Sequence, residues 1–293
     1  MPAPAPAASP GRYRPQAVTP PRRRTRLTRR GRLTLLIGTL LALVVAAAVL
    51  VPLLTREPKT EEAARTLVIP EGWRATQVYA AVDKALGEPA GTTGKAAPTS
   101  DLPLPAAAKG NPEGYLYPAT YPVTAATAPK SLLRYMVDTA VERFGANHIT
   151  AGARRNDVTV YQTVTIAGIV QAEADTEADM GKVARVIHNR LDRGMPLQMD
   201  STLNYALNRS TLDTTTGDTK LDSPYNSYAH KGLPPTPISN PGEQAMTAAI
   251  KPTPGPWLYF VTVAPGDTRF TDDYAEQQRN VAEFNRNRRG AGG

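Results

Sequence analysis

Glu173 is the residue whose neighbours best equip it to move a proton. It lies near the end of the run Thr163–Ala174 (TVTIAGIVQAEA), where Ile166, Ile169 and Val170 stand at i, i+3 and i+4 and so share one face of a helix. Seven residues beyond Ile166, Glu173 falls on that same face. A carboxylate in line with an apolar stripe loses water, and desolvation raises its pKa towards the range of a general acid. Asp175 and Asp179 do not share the placement. The spacing alone equally allows a boundary glutamate that snorkels or caps the next helix.

Other chemistries find little support. His148, His188 and His230 are scattered, with no H-E-x-x-H or comparable ligand spacing, so no metal site is expected. There is no G-x-S-x-G elbow and no glycine-rich phosphate loop, and no cofactor is expected. The chain has no cysteine, which excludes disulfides and zinc–thiolate chemistry. Carboxylate chemistry remains. On an unbroken helix Glu173 and Glu177 would be i, i+4 neighbours about 5–6 Å apart at Cβ, the scale of a retaining glycosidase pair. The acidic crowd Asp175–Asp179 instead signals a helix break and a new start. Asp200 and Asp222 are alternative second acids. Gln198, Asp200, Ser201, Asn204, Tyr225, Asn226 and Tyr228 supply aromatics interleaved with amides and hydroxyls, a mixture suited to a sugar. The plainer alternative makes Tyr225 and Tyr228 core tyrosines and Asn226 a turn residue.

The elements that must position these residues can be read from periodicity. The Glu173 helix is expected from about Val158, with a second helix through Met180, Val183, Ala184, Ile187 and Leu191 to about Gly194. Upstream, Leu67–Ile69 is a short strand stopped by Pro70, and Ala75, Val78, Tyr79, Val82 and Leu86 mark an amphipathic helix. Residues 87–111 read as a flexible linker, 113–123 (EGYLYPATYPV) as extended, and Leu133–Phe144 as a helix. Downstream, residues 209–223 form a polar loop. Asn240-Pro241-Gly242-Glu243 is a helix start with Asn240 as N-cap, and that helix stops at Pro252. Trp257–Val263 and Arg269–Phe270 make a hairpin around Pro265-Gly266-Asp267. A last helix from Asp272 turns Tyr274, Val281 and Phe284 inward before a frayed end. Strands and helices mix without a βαβ rhythm, so the class is α+β.

The net charge of +8 divides unevenly. Nine arginines between Arg12 and Arg32 contribute +9 with no acid before residue 33, which leaves −1 for the rest. A basic nucleic-acid face is therefore not expected. From Leu33 to Thr55 no residue is charged, long enough for a hydrocarbon core of about 30 Å. The arginines before it place the N-terminus in the cytoplasm and everything after the span outside. A cleaved signal peptide with Ala46 and Ala48 at its site is the rival, but the apolar run continues through Leu54, beyond a typical h-region of about 7–15 residues. The expected organisation is a disordered basic tail (1–32), a transmembrane helix (33–55), a small β/α module (64–86), a linker (87–111) and an α+β catalytic domain (112–287).

Eight motifs in order carry a resemblance: IPEGW (Ile69–Trp73), EGYLYPATY (Glu113–Tyr121), IAGIVQAEA (Ile166–Ala174), VIHNRL (Val186–Leu191), PLQMDSTLNYAL (Pro196–Leu207), SPYNSY (Ser223–Tyr228), GLPPTPISNPG (Gly232–Gly242) and WLYFV (Trp257–Val261). With them the chain resembles the YceG-like family of membrane-anchored endolytic murein transglycosylases, in its actinobacterial form. The resemblance implies a LysM-like module at 64–86. It also implies cleavage of nascent peptidoglycan strands between N-acetylmuramic acid and N-acetylglucosamine, leaving 1,6-anhydro-muramyl ends. The family's glutamate falls on Glu173; many relatives carry a second acid two residues earlier, where this chain has Gln171. Substrate contacts are implied for Gln198, Ser201, Tyr225, Asn226 and Tyr228. Peptidoglycan synthases are candidate partners. A hydrolytic muramidase and a non-catalytic peptidoglycan-binding scaffold stand as alternatives.

Overall fold

The computed structural model describes residues 28–54, 65–96, 102–211 and 214–291. Most of the expected basic tail lies outside the described residues, as does the juncture at 55–64. The chain divides into two compact units, Met1–Glu61 and Glu62–Gly293. In the first, α1 (Arg29–Leu54) is one helix of 26 residues, about 39 Å long. Its described apolar side chains, such as Leu40, Leu43 and Val44, are exposed. Several α1 side chains are outside the described set, and within that set no helix is long and apolar enough to cross a membrane.

The second unit is mixed α+β. It opens with β1 (Arg65–Val68), α2 (Ala75–Leu86), α3 (Thr92–Ala96) and β2 (Thr120–Val123). β1 and β2 pair antiparallel, with Leu67 opposite Tyr121. The strand pairing carries the module past its expected end at 86 and joins it to the region beyond the linker. The described parts of the linker are tied down. Asp83 accepts from the amides of Gly91 and Thr93, both at 2.7 Å, and Leu102 and Ala108 are buried. A local core of Leu67, Ile69, Val78, Val82 and Tyr121 continues onto α4 (Pro129–Phe144) through Leu133 and Met136.

After α4 come α5 (Asn147–Arg155), not anticipated from periodicity, α6 (Val160–Glu173), α7 (Glu177–Asp192), α8 (Asp200–Ala206) and α9 (Glu243–Ile250). The hairpin of β3 (Tyr259–Ala264) and β4 (Asp267–Thr271) and the helix α10 (Tyr274–Ala291) complete the chain. α6 is the hub, touching α5, α7, α8 and α9. Every residue from Thr163 to Val170 is buried, so α6 is enclosed all round and is more than a single apolar stripe. Its N-terminus is set by a capping box. Thr159 Oγ1 accepts from Gln162 N at 3.1 Å, and Gln162 Oε1 accepts from Thr159 N at 2.8 Å. The hydroxyls of Thr163 and Thr165 donate to carbonyls one turn back, which lets two polar residues enter the core.

Gly168 gives α6 its close neighbour: a Cβ there would stand 3.1 Å from Ser239 O. The Ser239 hydroxyl donates to Gly168 O at 3.0 Å. Two expectations fail in this later part of the chain. Asn240 is not the cap of α9, whose N-cap is Gly242. Asn240 is fully buried, donates to Trp73 O at 2.7 Å and accepts from Leu116 N at 2.8 Å, so three distant motifs meet on its amide. On α10, Tyr274 and Val281 face solvent, while Gln277 and Asn287 donate to the β3 carbonyls of Phe260 and Val263. The inward side of α10 answers unpaired strand carbonyls, a demand that apolar periodicity does not reveal. The helix runs through Ala291.

Candidate active site

Glu173 is the last residue of α6. The backbone turns extended at Ala174 (φ −142°, ψ 135°), and Thr176 caps α7 by accepting from Asp179 N at 3.2 Å. The expected break is therefore real, and it puts Glu173 and Glu177 on different helices. This removes the i, i+4 carboxylate pair.

The Glu173 carboxylate is half-enclosed at the junction of α6 and α8. Its Oε1 accepts from Ser201 N at 3.1 Å. Its pKa lies above the ordinary value, chiefly because burial penalises the charge; the Asp200 carboxylate adds to the rise and Ser201 opposes it. The Ser201 hydroxyl is buried without a well-formed hydrogen bond, yet it too favours the ionised glutamate. Asp200 accepts from the Tyr228 hydroxyl at 2.5 Å. Burial raises the Tyr228 pKa, followed by its bond to Asp200 and the nearby charges of Asp200 and Glu173. Glu173, Asp200, Ser201 and Tyr228 are thus one cluster.

The remaining sequence candidates have more structural occupations. Gln198 adopts a left-handed backbone (φ 53°) and accepts through Oε1 from Arg190 Nη1 at 3.1 Å. Tyr225 meets Thr236 Oγ1 through its hydroxyl at 2.9 Å, and its ring centre stands 4.9 Å from that of Tyr205. Asn226 is fully buried; its Nδ2 donates to Thr219 O and Leu221 O while Oδ1 accepts from Tyr228 N and Ala229 N. An amide so occupied has nothing left for a sugar. Asn226 holds the loop that aims Tyr228, the turn role that composition had left open.

Two groups with structural leverage were not singled out from the sequence. Arg190 is buried with its Nε donating to Leu258 O at 2.6 Å and its Nη1 to Leu197 O at 2.8 Å. Its position three residues beyond Ile187 and seven beyond Val183, both buried, was the available signal. Glu113, heading EGYLYPATY, is 3% exposed, with its pKa pushed up to about 7 by burial. An acid leading into an aromatic run was the clue there. A cavity of 480 Å³ lined by Tyr161, Thr165, His188 and Pro235 lies toward the start of α6. About 18 Å of helix separates Tyr161 from Glu173, so this cavity is not the carboxylate site. No group of three or more metal-ligating side chains occurs among the described residues.

The YceG-like family model matches residues 44–283. An endolytic murein transglycosylase of Bacillus subtilis is 35% identical over 176 residues, 59% of this chain and 48% of the relative. One of Streptococcus pneumoniae is 35% identical over 177 residues, 58% of this chain and 32% of the relative. The chain thus spans about half the length of the first and about a third of the second. The crystal structure of a yceG-like protein from Listeria monocytogenes superposes with a TM-score of 0.64 at 30% identity, covering 74% of this chain and 76% of that one. With most of its length matched by the family model, the chain belongs to the YceG-like family.

Proposed function

We propose that the protein is an endolytic lytic transglycosylase that cuts peptidoglycan strands between N-acetylmuramic acid and N-acetylglucosamine. The observation that carries this reading is Glu173 itself, a carboxyl desolvated at the end of a buried helix and held by the Ser201 amide. Protonated, it gives its proton to the glycosidic oxygen as the bond to the anomeric carbon breaks. As carboxylate, it then takes the proton of the muramyl C6 hydroxyl while that oxygen bonds to the same anomeric carbon. The ring closes, no water is consumed and Glu173 regains its proton. One carboxyl suffices for both steps, and the relatives' name describes the same activity. Tyr228 and Ser201 line the reacting sugar in this scheme, with Gln198 and Tyr225 further along the strand.

Asp200 gives a second reading some weight, because its charge is felt by Glu173. A hydrolase would use it to activate water. The bond from Tyr228 engages one oxygen of Asp200, and this favours a supporting role.

We further propose that α1 anchors the chain. Residues 33–54 carry no charge, and the arginines preceding them favour an internal N-terminus and an extracytoplasmic Glu62–Gly293 unit. The β1–α2–α3–β2 order, closed by one antiparallel pair, supports a LysM-like module that helps hold glycan. Peptidoglycan synthases fit as partners of an enzyme acting on nascent strands. The test is incubation of the full chain, in detergent, with purified glycan strands. Wild type should release fragments and Glu173→Gln should not. Glycan binding without cleavage by either would favour a scaffold.

A further inference from the structure

Glu113 takes no part in the scheme above, yet it is built into the same region. Its Oε1 accepts from the amide of Ala75, the first residue of α2, at 3.0 Å. Its Oε2 accepts from the Tyr205 hydroxyl, near the end of α8, at 3.1 Å. Arg74, just before α2, places its guanidinium 5.3 Å from the centre of the Tyr205 ring and donates to Arg209 O at 2.8 Å. The charged and titratable groups bearing on Glu113 are therefore Arg74 and Tyr79 from the α2 side and Tyr205 from α8.

α8 has only seven residues, and a helix so short does not hold itself in water. Its position is set by what grips its two ends. At the start, Met199 N donates to Ser227 Oγ at 2.9 Å and Ser201 N donates to Glu173. Near the finish, Asn204 donates to Thr211 O at 2.8 Å and Tyr205 donates to Glu113. The distance along α8 from Ser201 to Tyr205 is about 6 Å, so a tilt at one end is felt at the other.

We propose that Glu113 is a positioning residue for Glu173. Through Tyr205 it fixes the tilt of α8, and α8 delivers the Ser201 amide to the acid. Docking of α2 and the geometry of the catalytic carboxyl become one arrangement. The energetics agree with a functional purpose. Burial pushes the Glu113 pKa up to about 7 against the opposing pull of the Ala75 amide, the Tyr205 hydroxyl and Arg74. Its ionised form therefore costs stability at alkaline pH, a cost that a glutamine of the same shape would avoid.

This inference rests on the reading of Glu173 as the proton donor. The test uses the full chain in detergent, as wild type, Glu113→Gln and Tyr205→Phe. In both variants kcat should fall about tenfold to a hundredfold with KM changed less than about twofold. The alkaline limb of the pH profile should move to higher pH, because a loosened Ser201 amide no longer favours ionised Glu173 beside Asp200 and Tyr228. Hydrogen exchange of the Ser201 amide should accelerate. For Glu113→Gln the Tm at about pH 8 should not fall, which separates positioning from a merely structural role. Tyr205→Phe removes one hydroxyl and keeps the ring, and it serves if Glu113→Gln does not fold. Unchanged kcat and unchanged Ser201 exchange in a folded variant would overturn the inference, as would a loss of kcat that only follows a drop in Tm. If wild type cleaves nothing, the proposed activity fails, and Ser201 exchange alone then decides whether Glu113 controls α8.

Discussion

At Glu173, burial outweighs the Ser201 hydrogen bonds that favour ionisation, and the carboxyl is held toward its protonated form. Proton donation needs the protonated acid, so turnover should be sustained below its raised pKa and fall as pH rises through it. A pH–rate profile checks this, and a flat alkaline side would contradict it. Replacement by Gln keeps the volume and the acceptor for Ser201 N but cannot donate an acidic proton. Glu173→Gln should cost about a hundredfold to ten-thousandfold in turnover. Its Tm at about pH 8 should not fall, because a buried carboxyl with a raised pKa is itself destabilising when ionised. Asn226 should behave in the opposite way. With four hydrogen bonds inside its own loop, Asn226→Ala should lower stability by about 3 kcal/mol. Denaturant unfolding measures this; an undiminished midpoint would mean that the loop does not depend on the amide.

At the level of elements, the site is a junction of one deeply buried helix and one short one. α6 is fixed by its capping box, its threonine back-bonds and the close approach of Ser239 at Gly168. α7 contributes through its side chains. Asn189 donates to Gly255 O and Trp257 O, Arg190 donates to Leu258 O, and the β3 approach is thereby pinned. Arg190→Met should remove the donor to Leu258 O and Leu197 O and cost about 3 kcal/mol, read as a lower unfolding midpoint. Equal stability would refute the clamp. The helices α2, α4, α6 and α7 were legible because each repeats apolar residues at helical spacing over several turns. The break after Glu173 was legible from the acids at Asp175 and Asp179. Asn240, Glu113 and the polar inner side of α10 were not. Their roles depend on partners far away in sequence, such as Trp73, Ala75 and the β3 carbonyls. Periodicity reports which side of an element is buried; it does not report which carbonyl waits there. The same limit applied to Gln198, Tyr225 and Tyr228, whose residue types suited a sugar before any distance was known.

For the whole molecule, the division at Glu61 separates α1 from the unit that holds Glu173. On the proposed anchoring, deleting residues 1–61 should move the protein from the membrane fraction to the soluble fraction after cell breakage. Persistent sedimentation of the truncated chain with membranes would count against a single anchor. Within Glu62–Gly293, the pairing of β1 with β2 shows why the small module could not be bounded from local sequence. Its second strand lies beyond residues 87–111, at Thr120–Val123. On the proposed mechanism one carboxyl closes the muramyl ring without water. The most direct measurement is mass spectrometry of glycan fragments released by the full chain in heavy-oxygen water. The lytic mechanism requires fragment ends that lack the elements of water, carry no heavy oxygen and disappear with Glu173→Gln. Reducing ends labelled with heavy oxygen would contradict it and make Asp200 the activator of a hydrolytic water.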